Sequence, residues 1–148
     1  MKKDDVMGGV MLLIVILAVG AFFMFAKQAP ELSYAPVEVA GTTLVFDSVV
    51  SDTAVTFTPT LVRAGYITVH ESIGGAPGPI VGTSQLLSAG SAASVTVDLS
   101  KPLTPSMPYV ALTHVDNGDG TFVVKDDMPV TNGGVSVRAD FTSPAIKK

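Results

Sequence analysis

Two periodicities divide the chain. From Val6 to Ala26 no residue is charged and nearly all are apolar. As a helix these positions rise roughly 31 Å at ~1.5 Å each, close to the ~30 Å hydrocarbon thickness of a bilayer. A helix buried in a globular core keeps a polar face, and this run has none. The pattern predicts a single transmembrane helix over 6–26 behind a short leader, 1–5. Ala29-Pro30 and Ala35-Pro36 then mark an extended spacer over 27–42.

Beyond the spacer the period drops to two. Leu44-Val45-Phe46, Ala54-Val55-Thr56-Phe57, Tyr66-Ile67-Thr68-Val69, Pro79-Ile80-Val81, Ser94-Val95-Thr96-Val97, Tyr109-Val110-Ala111-Leu112, Phe122-Val123-Val124 and Val135-Ser136-Val137-Arg138 are short, rich in β-branched residues, and bounded by Gly, Pro, Ser or Asp. Seven or eight strands at hairpin spacing follow. No stretch sustains a helical stripe for three turns, although Ser84 to Ala92 has room for one turn. The expected fold is mainly β, an antiparallel Ig-like or cupredoxin-like β-sandwich over 43–143, preceded by the N-terminal transmembrane helix and followed by a tail, 144–148. Alternation assigns Phe46, Phe57, Ile67, Val69, Val95, Val97, Val110, Leu112, Val137 and Phe141 to its core.

Composition narrows the setting. The 148 residues are 47 % hydrophobic with a mean hydropathy of +0.49, but the excess lies in the first segment. After Pro30, six Lys and Arg face eleven Asp and Glu, a net charge of −5. Such a domain lacks the clustered cations that nucleic acids require. There is no cysteine, which removes disulfides, thiolate metal sites and a cysteine nucleophile together. An exported domain of this size then depends on its core, and the absence of bridges points to a prokaryotic surface.

Three readings of the N-terminus compete. Retention as a signal-anchor fits the length of the run, with Lys2 and Lys3 against Lys27 placing the N-terminus in the cytoplasm and the C-terminal domain outside. A cleaved signal peptide would have a shorter apolar core, and Lys27 would occupy the −3 place of a cut after Ala29. A pilin-like filament subunit would be cut after Gly9, giving Val10 as first residue; its fifth residue, Ile14, stands where bacterial type IV pilins generally carry glutamate.

Candidate chemistry is sparse. His70 and His114 are the two histidines, each ending a strand and each close to an acid, Glu71 and Asp116. If their strands are neighbours, His70, Glu71, His114 and Asp116 supply a nitrogen and oxygen set suited to copper or zinc; otherwise each histidine holds a strand-end loop. Asp116-Asn117-Gly118-Asp119-Gly120 looks like a calcium loop, but its third and fifth places are glycines and Asp127 is short for the twelfth. A tight hairpin between Tyr109–Leu112 and Phe122–Val124 accounts for the same residues. No Gly-x-Ser-x-Gly elbow and no glycine-rich phosphate loop is present. No enzyme and no resident cofactor is expected.

The series Gly65-Tyr66-Ile67-Thr68-Val69-His70-Glu71, Pro79-Ile80-Val81-Gly82-Thr83-Ser84, Val95-Thr96-Val97-Asp98-Leu99 and Ala111-Leu112-Thr113-His114-Val115-Asp116 resembles a domain of unknown function that recurs in archaeal and bacterial cell-surface proteins. The resemblance covers about Thr43 to Thr142 and implies a surface-attached β-sandwich, without naming catalytic residues. Together these features predict a single-pass cell-membrane protein whose outer domain contacts another surface molecule or self-associates. A metal-binding accessory domain and a filament subunit are the alternatives.

Overall fold

The computed structural model describes residues 35–145. The expected leader, the transmembrane helix over 6–26 and the first half of the spacer, 27–34, lie outside them. Among the described residues none is helical, including Ser84 to Ala92.

Eleven strands follow in chain order: β1 (Val37–Glu38), β2 (Thr43–Ser51), β3 (Ala54–Leu61), β4 (Gly65–Ile73), β5 (Ala76–Thr83), β6 (Gly90–Ser91), β7 (Val95–Asp98), β8 (Pro108–Val115), β9 (Val130–Asn132), β10 (Val135–Ser136) and β11 (Arg138–Thr142). One sheet has the order β11-β8-β4-β5. The other sets β2 against one edge of β3, whose opposite edge is shared by β6 and β7. A third, small sheet, β1-β9-β10, contains a parallel pair, β1 with β9. Its hairpin leaves the edge of β8 where Pro129 bridges His114 and returns where the Thr113 amide donates to the Val137 carbonyl. The Asn132 side-chain amide reaches the Thr42 carbonyl and so ties the hairpin to the start of β2.

The two larger sheets enclose Val55, Phe57, Ile67, Val69, Val81, Val97, Tyr109, Ala111, Val137, Ala139 and Phe141. Phe141 stacks on Phe46 with ring centroids 4.5 Å apart and on Tyr109 at 5.5 Å, and meets Phe57 edge-on at 6.2 Å. Aromatic rings therefore cross from sheet to sheet, in arrangements that add about 0.5–1.5 kcal/mol per pair beyond area burial. On β2 the register slips between Phe46 and Ser48. That bulge lets Leu44, Phe46 and then Val49 share the core side although their numbering changes parity.

Several expectations need correction. Phe122–Val124 is not a strand but part of a long loop between β8 and β9, so the expected hairpin is not formed. Val110 and Leu112 lie on the outer face of their sheet, and Tyr109 and Ala111 point inward in their place. Alternation misleads there because Val110 is also fully buried, and a strand covered on both faces has no clean period of two. Phe46 and Val95 are half-buried. The run from Val135 breaks between β10 and β11, leaving Val135 69 % exposed. Folded structure also begins inside the expected spacer, with Val37–Glu38 paired and Val39 buried.

Gly65 marks the closest backbone approach of the sheet: a Cβ there would stand 1.9 Å from the His114 carbonyl oxygen. Gly65→Ala is expected to force β4 from β8 and cost roughly 1–3 kcal/mol. Urea unfolding of the two proteins side by side checks this, and an unchanged midpoint would contradict it.

Candidate functional site

The outer face of β4 and β8 carries the candidate residues. Pairing sets Tyr66 opposite His114, Thr68 opposite Leu112 and His70 opposite Val110. Both histidines thus share one face of neighbouring strands, but four strand positions separate them, a rise of roughly 13 Å along the strand. Glu71 follows His70 directly and turns to the other face, where it forms an ion pair with Lys101. Asp116 lies beyond the end of β8. Its Oδ1 accepts the Gly120 amide at 3.1 Å and the Tyr66 hydroxyl at 3.4 Å.

Each histidine is held by a backbone carbonyl. His70 Nδ1 donates to the Gly78 carbonyl at 2.8 Å, which leaves Nε2 to accept the Thr68 hydroxyl at 2.8 Å. His114 Nδ1 donates to the Asp127 carbonyl at 2.9 Å. Its Nε2 is buried and has no hydrogen-bond partner. The ring is capped by Phe122, edge to face at 5.4 Å, and Phe122 also meets Tyr66 at 5.3 Å. Burial lowers the pKa of both histidines, and in each the carbonyl bond offsets part of that effect. Both are neutral imidazoles near neutral pH.

Asp127 organises the covering loop. It is fully buried, and its carboxylate accepts the Asn117 amide at 2.9 Å and the Val123 amide at 2.6 Å. The rest of the loop bonds to itself, with the Asn117 side chain accepting the Asp119 amide and the Asp119 side chain accepting the Thr121 amide. Acidic residues that resemble a calcium loop in sequence thus serve as acceptors for turn amides. Among the described residues no three His, Asp or Glu side chains come together closely enough to hold a metal ion.

A second carboxylate performs a similar task at the start of the domain. Glu38 on β1 accepts the Gly133 amide at 2.7 Å, the Gly134 amide at 3.0 Å and the Thr131 hydroxyl at 3.0 Å. Gly133 and Gly134 have φ of 63° and 75°, the left-handed pair a tight hairpin requires. Those amide bonds, Gly134 first, hold the Glu38 carboxyl below its ordinary pKa. Sequence reasoning missed both anchors. Asn132-Gly133-Gly134 carries the residue types of a tight turn, whereas Glu38 sits in a stretch with no periodicity to mark it.

The described fold is a mainly β sandwich held by its core, with His70, His114, Asp127 and Glu38 each bonded to backbone groups of the same domain. The chain belongs to the family described as domain of unknown function DUF7282, whose family model matches residues 31–142. It is similar to cell surface glycoprotein 1 of Haloarcula hispanica, 38 % identical over 79 residues, and to cell surface glycoprotein 2 of the same organism, 35 % identical over 79 residues. Each match takes in 52 % of this chain and 8 % of the relative. No solved structure matches it. Neither asparagine of this chain, Asn117 or Asn132, stands in an Asn-x-Ser/Thr acceptor for N-linked sugar.

Two outcomes follow from these contacts. Asp127→Ala leaves two loop amides without their acceptor, at about 1–3 kcal/mol each when buried; limited proteolysis is expected to cut within 117–126 well before the wild type is cut, and equal rates would contradict it. The histidines predict the pH response of stability. Their folded pKa values lie below the unfolded value of about 6.5, so the unfolded chain binds more protons as pH falls. Their contribution is complete above about pH 6.5 and is lost below it, by up to about 1.4 kcal/mol per pH unit for each histidine. Urea unfolding at successive pH values should show that loss, and the His70→Gln/His114→Gln protein should lack this part of it.

Proposed function

We propose that this protein is a non-enzymatic component of a prokaryotic cell envelope. Residues 6–26 anchor it in the membrane with the N-terminus in the cytoplasm, and the β-domain outside takes part in surface structure or contacts another surface molecule. The likeness to two haloarchaeal cell surface glycoproteins carries this reading. Its support is the order of the chain, because the family match begins at residue 31, just after a charge-free apolar run of spanning length. An acidic outer part, with net charge −5 after Pro30, suits a soluble, exposed domain. The residues with the best claim to chemistry, His70, His114 and Asp127, are engaged in holding loops.

Intact cells expressing the full chain with a C-terminal epitope test the topology. The epitope is expected to be removed by added protease while the chain itself stays in the carbonate-washed membrane pellet; a protected epitope, or release into the wash, would overturn the reading. Mass spectrometry of the same material separates the alternatives at the N-terminus, since a mature chain starting at Val10 would make it a filament subunit. Calorimetric titration of the purified chain with copper or zinc is expected to give no saturable site. One-to-one binding abolished by His70→Ala would transfer the function to a metal-binding accessory domain.

A further inference from the structure

We propose that residues 116–129 form a proton-released cover over the outer face of the four-stranded sheet, and that His114 is the group whose protonation releases it. The inference starts from how the loop is fastened. Its interior amides, at Asn117, Asp119, Gly120, Thr121 and Val123, all bond to carboxylates or the side-chain amide of residues 116–127. The segment is therefore a self-contained unit, free to move without breaking those bonds. At its ends it is fastened through the Val115 amide to the Met128 carbonyl, the Asp116 amide to the Ala64 carbonyl and the Val37 amide to the Pro129 carbonyl, with Pro129 bridging His114. Between those ends three attachments hold it to the sheet: the His114 Nδ1 bond to Asp127, the Phe122 ring against His114 and Tyr66, and the Tyr66 hydroxyl on Asp116.

His114 takes part in two of these three attachments, and it is the one that neutral pH leaves incomplete. Its Nδ1 already donates, so an added proton goes to Nε2. That nitrogen is buried, on a residue 4 % exposed, and has no acceptor within reach. An N–H and a charge placed there lose their hydration without compensation. With the loop lifted, water solvates both, so proton binding and opening favour one another.

The charged and titratable groups around the ring do not remove that penalty. Tyr66 faces it from β4, with His70 four positions further along the same strand. Asp116 accepts from Tyr66 and Gly120. The Asp127 carboxylate favours the cationic ring by its charge but is turned to the Asn117 and Val123 amides. Asp119, Lys125 and Asp126 are exposed on the loop, and Arg63 is exposed on the turn between β3 and β4. On β11, Arg138 and Asp140 pair with each other. Acidification thus exposes Tyr66, Phe122 and the His114 ring to solvent.

Amide hydrogen exchange of the full chain in detergent, compared at about pH 7.5 and 5 with correction for intrinsic rates, tests this. Exchange within 117–126 is expected to rise at least about tenfold at the lower pH while central β4 and β8 amides stay unchanged. The response should vanish in His114→Phe, which keeps a ring beneath Phe122, and persist in His70→Gln. A flat wild-type response, a response surviving in His114→Phe, or one lost in His70→Gln would overturn the proposal. Should His114→Phe fail to fold, NMR titration of the wild-type ring decides: the His114 midpoint must coincide with the midpoint of loop opening, and a mismatch refutes the coupling.

Discussion

Phe141 occupies the place where the sheets must recognise each other. It stacks on Tyr109 of its own sheet and on Phe46 of the opposite one, with Phe57 edge-on. A chain with neither cysteine nor tryptophan has few other means of joining two sheets. The four rings come from β2, β3, β8 and β11, so both sheets contribute two strands to one contact. The bulge in β2 follows from the same requirement, because without the extra residue Phe46 and Val49 would fall on opposite faces.

Around that core, carboxylates hold what strand pairing does not. Asp127 and Glu38 each accept two backbone amides of a turn, Asp127 from within the loop between β8 and β9 and Glu38 from β1. A carboxylate with several lone pairs can satisfy amides whose spacing no strand would match. The acidity of this domain therefore has two components. Part of it is solvent-facing charge, and part is internal fastening that happens to be anionic.

The fold was legible where one strand face is wet and the other dry. Val97 and Phe141 are buried with Thr96, Asp98, Asp140 and Thr142 exposed beside them, and alternation assigns such strands correctly. It fails on β8, where a loop and neighbouring side chains bury the outer face too, and at Phe122–Val124, whose apolar residues cover Tyr66 and His114 instead of forming a strand. The candidate site was legible in part. Neighbouring strands place His70 and His114 on one face, but His70 lies inside β4 and not at its end. Their distance along the strands, and the turning of Glu71 to the other side, depend on register, which no local pattern encodes. Asp127 gave the weakest signal and has the largest local role, because its partners are backbone amides and backbone amides leave no trace in sequence.

The clasp between Glu38 and Gly133 joins residues 95 positions apart, and among the described residues strand β1 pairs only with β9. Contacts this distant in sequence close late, after the entropy of the intervening chain has been spent on nearer pairings. During synthesis the first strand to emerge is thus among the last to be seated. Until the Asn132-Gly133-Gly134 turn exists, β1 has no sheet to enter, and completion of the domain waits on a hairpin encoded in the final tenth or so of its sequence.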